Sequence, residues 1–355
     1  MIKKHFLLFL MYLIFVYGLS CSTITFNNKN QNDNCLPVIP HGCSIEHRYQ
    51  TLVKPFHIVA PSGNKVYGLI RCPSPRVYPN QCFPALIIIP GALEPGRMHA
   101  YGLKAKSISE AGIVVVCFNA EGRVSNSSND ITSEGNEDYN GFRHQDGLAE
   151  IIKYVKNLDY VIDENIGIYS QSYGISMVAG CVARRPEISV KYIIDIEGPS
   201  DSFAVCLEPW TLDRDVTNDM SDKVYRVFGH YSLSRDNSEE NMRFWAEREA
   251  VRYIGKYRGN YLRIQGTWDH ILPPKRERDI KEFTQYPLWW QNKHAVEMVN
   301  AAVKGGVPWV RINLIEQGNS VNKTYHYNDR PHYLPGSLAE SDVFIEAIIE
   351  LIRAE

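Results

Sequence analysis

A chain of 355 residues with 44% hydrophobic and 22% charged side chains has the composition of a folded globular protein and the length of one large or two ordinary domains. Its formal net charge of -2 lacks the basic excess that phosphate backbones demand, so nucleic acid is excluded as the expected partner and a polyanionic substrate is disfavoured. No dinucleotide fingerprint or Walker loop is present, and no metal or cofactor is expected.

Residues 1–20 read as a secretory signal peptide: Lys3 and Lys4, an uncharged apolar run from Phe6 to Val16, then Gly18, Leu19 and Ser20 ahead of Cys21. The run is shorter than the ~20 residues that span a bilayer. A cysteine at the cleavage point is also where bacterial lipoproteins are lipidated, although their signals usually carry leucine where this chain has Gly18. Attachment of lipid to Cys21 therefore stays open, and the expected location is secreted or at the cell envelope. Export permits disulfides, and two pairs lie close in sequence, Cys35 with Cys43 and Cys72 with Cys82. A Cys72–Cys82 bridge would close a loop of about eleven residues and contribute roughly 3 kcal/mol on the chain-entropy relation. Cys117 and Cys181 have no partner at metal-ligand spacing and read as buried free thiols.

Residues 21–51 are rich in Asn, Cys and Pro, show no periodicity and read as an irregular segment. A hairpin follows from Lys54 to Cys72, turning at Ser62, Gly63 and Asn64. Apolar runs Ala85–Pro90, Ile113–Asn119, Asn165–Ser170, Lys191–Ile196, Asn260–Gln265 and Trp309–Ile315 then read as buried parallel strands. Between and after them, Ala100–Glu110, Gly147–Leu158, Tyr173–Arg184, Lys275–Phe283, Gln291–Lys304 and Ser337–Ala354 carry helical periodicity. Strands alternating with helices predict a mostly parallel α/β sheet of eight strands with helices on both faces, over residues 52–355. The stretch 200–259 breaks the alternation and is expected to be a small helical insertion over the carboxyl ends of the strands.

The chemistry centres on Ser172 in YSQSYG. A strand that turns sharply into a helix needs small residues two before and two after the turn residue, here Ser170 and Gly174. Such an elbow lifts the hydroxyl off the sheet and aims the next amide, on Tyr173, at a developing oxyanion. The turn PGALEPG after Ala85–Pro90 offers a second donor on Ala92 or Leu93, or is a plain glycine turn. A serine needs a base and an orienting acid, in the chain order Ser, acid, His. Asp269, in QGTWDHILPP, sits where the acid is needed, or caps a helix starting near Pro274; His332 in RPHYLPG is the favoured base and His326 in KTYHYND the alternative. His270 more readily shapes the site than acts in it. Glu197 and Asp201 in DIEGPSD offer another acid position.

Other features carry less. DRDVTND, Asp213 to Asp219, spaces acids like a calcium loop but lacks its glycine and final glutamate, and reads as a solvated loop. Tyr286, Trp289 and Trp290 read as core, whereas Trp210 and Trp245 in the insertion could line an acyl pocket.

YSQSYG after VIDEN, RHQDGLAEIIKYVKN before it, FNAEGRVSNSS and QGTWDHILPP together resemble the α/β-hydrolase superfamily, most closely the prolyl oligopeptidase catalytic domain and the dienelactone hydrolase-like esterases. The resemblance covers about residues 52 to 353. It implies an α/β-hydrolase fold and a serine hydrolase without metal or cofactor, with Ser172 as nucleophile, Asp269 as acid and His332 as base. The substrate implied is a small ester or peptide. Ser170 stands where glycine is usual, and Ile175 replaces a second common glycine. With no room for the β-propeller of many oligopeptidases, an esterase is favoured over a peptidase; a catalytically silent binding protein on the same fold is the rival reading.

Overall fold

In the computed structural model, the described residues are 35–38, 40, 48–125, 128, 130–201, 225, 228–231, 233, 235–266, 288–314, 318–334 and 343–353. The strands are β1 (Leu36–Pro37), β2 (Thr51–Val59), β3 (Lys65–Pro73), β4 (Gln81–Ile89), β5 (Val114–Phe118), β6 (Val161–Gln171), β7 (Tyr192–Ile196), β8 (Asn260–Ile264) and β9 (Trp309–Ile312). Eight of them form one path in the order β2-β3-β5-β4-β6-β7-β8-β9, and β1 pairs with β4 as a ninth. The hairpin β2–β3 and the pair β3–β5 are antiparallel; every later pair is parallel, with β6 between β4 and β7. The expected antiparallel start and parallel remainder are both present.

Described helices are α1 (Leu103–Glu110), α2 (Phe142–Lys156), α3 (Gly174–Arg184), α4 (Glu239–Ala246), α5 (Leu288–Lys304) and α6 (Val343–Arg353). Successive residues of one strand point to opposite faces, and the core divides accordingly. Ile87, Ile89, Val114 and Val116 join Leu148 and Ile152 of α2, Val178 of α3 and Val299 of α5 on one face. Leu86, Ile88, Val115 and Cys117 join Ile108 of α1 and Ile348 of α6 on the other. Helix α2 begins a turn earlier than its apolar periodicity implies, because Asp138 Oδ2 accepts the Arg143 amide at 2.8 Å and the first-turn residues His144 and Gln145 are themselves buried.

Within the insertion, α4 starts on Ser238, whose hydroxyl oxygen accepts the Asn241 amide at 3.3 Å, with Glu239 and Glu240 in the first turn. The short helical turns Ala250–Arg252 and Ile254–Lys256 follow. The signal segment with Cys21, the expected helix Lys275–Phe283, Asp213 to Asp219, Trp210, His270 and Asp269 lie outside the described residues, as do the side chains of Trp289 and Trp290. Among the described residues no helix is long and apolar enough to cross a membrane.

The N-terminal segment and its cysteines differ from expectation. Segment 21–51 is not wholly irregular: Leu36 and Pro37 pair in parallel with Gln81 and Cys82. That pairing brings Cys35, not Cys72, to Cys82, and the two form a disulfide with Cα atoms 5.7 Å apart. Cys72 sits on β3 opposite Leu52, and β5 separates β3 from β4, so the expected Cys72–Cys82 bridge cannot form and Cys35 is not left for Cys43. Cys72, Cys117 and Cys181 are buried free thiols, as read for the last two. The disulfide suits an oxidising compartment. It spans 47 positions, and on the loop-closure relation its loss should cost about 4 kcal/mol. Cys82→Ser should therefore unfold at markedly lower denaturant than the oxidised wild type, and an unchanged midpoint would show that β1 docks without the bond.

Candidate active site

Ser172 follows β6 with φ of 49°, a left-handed backbone that non-glycine residues rarely adopt. Its amide donates to Ile196 O at 2.8 Å, and its own carbonyl accepts the Ile175 amide at 3.2 Å as α3 begins. The turn leaves no room beside it. A Cβ on Gly174 would lie 2.8 Å from Pro90 O and 3.0 Å from Ser170 Oγ, which is why position 174 is glycine and position 170 is small. A Cβ on Gly91 would lie 3.1 Å from Ser172 Cβ, so the turn after β4 touches the elbow. Ala92 in that turn also has a left-handed φ, 47°, and Leu93 follows it. Ser172 is half-buried, Tyr173 is buried and Ala92 is exposed.

Two more strand ends carry strained residues: Glu197 after β7 at φ 49° and Asn313 after β9 at φ 56°. Left-handed non-glycine residues thus mark the carboxyl ends of β4, β6, β7 and β9, where open α/β sheets bind ligands. Glu197 Oε1 accepts the Gly266 amide at 3.0 Å, tying the end of β7 to the end of β8. Beneath them Arg263 is fully buried, donating to Asp195 Oδ2 at 2.8 Å, Gly198 O at 2.6 Å and Gln265 Oε1 at 2.6 Å. Asp195 Oδ1 takes the Gly198 amide at 3.1 Å, so this ion pair pins both polar backbone groups of Gly198.

The two histidines are anchored differently. Tyr325, beside His326, exchanges two hydrogen bonds with Asn300 of α5, and the His326 amide donates to Asp329 Oδ2 at 2.7 Å. His332 instead belongs to the strand ends: Leu334 bridges Gly266, and its amide donates to Gln265 O at 2.9 Å. Asp201 is committed elsewhere, accepting from Lys293 Nζ at 2.7 Å, with burial pushing its carboxyl up.

No family model matches the chain, and no curated protein matches it. Solved structures do. Porphyromonas gingivalis dipeptidyl peptidase 4 is 16% identical over 87% of this chain and 36% of its own, with a TM-score of 0.51. Prolyl oligopeptidase B from Galerina marginata is 9% identical over 85% of this chain and 36% of its own, with a TM-score of 0.50. The chain has the α/β-hydrolase fold. It spans about a third of the length of these two proteins. Acetyl xylan esterase from Paenibacillus sp. R4 is similar at a TM-score of 0.45, with 11% identity over 62% of this chain and 70% of its own.

In this α/β-hydrolase fold the insertion reaches the elbow. Tyr173, Phe228 and Trp245 form a buried aromatic cluster against Leu93, Tyr139 and Phe244, with the Tyr173 and Phe228 rings 5.3 Å apart. Asn140 Nδ2 donates to Tyr173 O at 3.0 Å and the Tyr173 hydroxyl donates to Tyr139 O at 3.1 Å. Arg248, just after α4, donates to the carbonyls of Tyr139 and Asp138. Asn140, Arg248, Arg263, Asn313 and Asn319 went unnoticed in the sequence. Their bonds run largely to backbone across long separations and leave no spacing pattern.

Among the described residues one cluster has metal-ligand character: Asp201, His294 and Glu297. Lys293 Nζ lies 2.7 to 2.8 Å from both carboxylates, and His294 Nδ1 accepts the Ser200 amide at 3.2 Å. The ammonium bonds both carboxylates where a cation would, and the cluster reads as an ion-paired network.

His144, which lies under the 119–141 loop, is buried with its ring nitrogens bonded to the backbone of Glu121, Asp138 and Asn140. Burial, with Arg123 beside it, lowers its pKa from 6.5 to about 4. The unfolded chain protonates this imidazole below 6.5 while the fold keeps it neutral to about 4. Its contribution to stability is therefore complete above pH 6.5 and is lost as pH falls through that window. His144→Asn should flatten the pH slope of the urea midpoint across the window; an unchanged slope would show equal proton affinity in both states.

Proposed function

We propose that this protein is a serine hydrolase that cleaves a carboxylic ester or amide through an acyl-enzyme on Ser172. The observation that carries the reading is the left-handed elbow at Ser172 with the Gly91 turn packed against it. Ser172 Oγ attacks the carbonyl carbon while His332 Nε2 takes its proton; the tetrahedral oxyanion is stabilised by the amides of Tyr173 and of Ala92 or Leu93. The C–O or C–N bond then breaks, and His332 returns the proton to the leaving group. Water repeats the cycle on the acyl-enzyme. Asp269 orients the imidazole and stabilises the imidazolium. No metal or cofactor takes part.

Anchoring to the ends of β8 and β9 favours His332 over His326, which belongs to a stretch fastened to α5. The buried aromatic cluster packed on Tyr173 makes the surroundings of the elbow apolar, which supports an ester with an apolar acyl group. A small-molecule ester is the favoured substrate. The two structures of highest similarity above are peptidases, which makes a short peptide the second reading. We place the protein outside the cytoplasm, secreted or held at the envelope through Cys21.

A fluorophosphonate should label Ser172, and Ser172→Ala should abolish both labelling and hydrolysis of a short-chain nitrophenyl ester; wild-type turnover by that variant would end the proposal. His332→Ala should lower turnover by about 10⁴-fold or more and His326→Ala by less than about threefold. Asp269→Asn should lose far more than Glu197→Gln, and the reverse would move the acid to the end of β7.

A further inference from the structure

Any proton transfer by His332 requires an imidazole held still, yet this residue is exposed and sits in a segment without regular structure. Its backbone, however, is gripped from both sides. The His332 amide donates to Asn319 Oδ1 at 2.9 Å. The His332 carbonyl accepts from Asn313 Nδ2 at 2.7 Å and from Asn319 Nδ2 at 2.9 Å. Both asparagines are buried, and neither has a polar hydrogen or oxygen to spare. Asn313 Nδ2 also donates to Gln265 O at 3.1 Å while its Oδ1 takes the Gln265 amide at 3.0 Å. Asn319 Nδ2 also donates to Ile312 O at 2.8 Å.

These bonds connect three elements. Asn313 joins the end of β8 to His332, and Asn319 joins β9 to His332, so the histidine's position is referred to the ends of β8 and β9, the first of which Glu197 also bonds through Gly266. Asn313 holds a left-handed φ of 56° to do so, a backbone that asparagine tolerates better than most residues. Gly318 completes the arrangement. A Cβ there would lie 3.1 Å from His332 Cδ2 and 3.2 Å from Nε2, so the absent side chain leaves space for this edge of the ring.

We infer that Asn313 and Asn319 are positioning residues that clamp the backbone of His332 and hold its imidazole in reach of Ser172. The inference rests on the serine-hydrolase reading above. A clamp that acts through one residue has a signature that a merely structural role lacks: its loss matters only while that residue is present.

The test measures fluorophosphonate labelling of Ser172, separating the maximal rate from the half-saturating probe concentration, in Asn319→Asp and Asn313→Gly. The first is isosteric and keeps the acceptor; the second keeps the left-handed backbone. Each should lower the maximal rate on the order of 10- to 100-fold, with half-saturation unchanged within about twofold. Combined with His332→Ala, each should cause no further loss. If Asn313→Gly does not fold, Asn319→Asp decides alone. Wild-type rates in the asparagine variants, or equal losses with and without His332, overturn the clamp while leaving the hydrolase reading intact. Failure of the wild-type protein to label at Ser172 overturns that reading and the clamp with it, whereas full labelling of His332→Ala overturns the choice of His332 as base, and with it the clamp, but not the serine nucleophile.

Discussion

Ser172 is held in a conformation that costs a non-glycine residue about 1–2 kcal/mol, and most of what surrounds it keeps that conformation from relaxing. Its strand lies between β4 and β7, so the chain cannot swing sideways. The Ser172 amide is fastened to Ile196 O, and the Gly91 turn lies so close to Ser172 Cβ that a side chain at position 91 would crowd it. Gly174 lets the first turn of α3 pass Pro90 O at a distance no side chain would permit. Strain of this kind persists only where neighbouring bonds over-determine the backbone. The consequence is a hydroxyl whose position is set by the sheet and not by its own rotamer alone.

The same logic extends to neighbouring strand ends. Ile196, the acceptor for Ser172, is followed by Glu197 and Gly198, and these are fixed by Gly266 and by the Asp195–Arg263 pair. A guanidinium and a carboxylate without solvent exposure lose hydration, and the loss is tolerable because Arg263 donates to a carboxylate, a carbonyl and an amide oxygen, while the Tyr261 hydroxyl gives Asp195 a further bond at 2.6 Å. Buried ion pairs of this sort add little net stability over an apolar replacement, but they fix geometry strongly. Here the fixed quantity is the spacing between the end of β7, whose Ile196 carbonyl accepts the Ser172 amide, and the end of β8, from which the chain runs toward Asp269.

Much of the fold was legible because alternating apolar runs and helical periods leave repeating marks. Ser170 and Gly174 were legible for a steric reason that the structure states in ångströms, and Tyr173, Ala92 and Leu93 lie on the turns that meet at Ser172. The misreadings have physical causes too. Disulfide pairing follows strand order, not sequence proximity: β5 intervenes between Cys72 and Cys82, while the two-residue β1 is too short to leave a periodic signal. Helix α2 began early because its first turn buries His144 and Gln145 on the inner face, so polarity masked the helix start. Asn313, Asn319 and Asn140 were invisible because an asparagine that bonds to distant backbone looks like any loop asparagine.

Catalysis at Ser172 depends on which groups meet there during attack, and a crystal structure of the protein after reaction with a phosphonate ester examines that directly. It should show phosphorus bonded to Ser172 Oγ, the phosphonyl oxygen about 2.7–3.1 Å from the amides of Tyr173 and of Ala92 or Leu93, and the imidazole of His332 facing Oγ. Phosphorus on another residue, or the imidazole of His326 in place of that of His332, would contradict it.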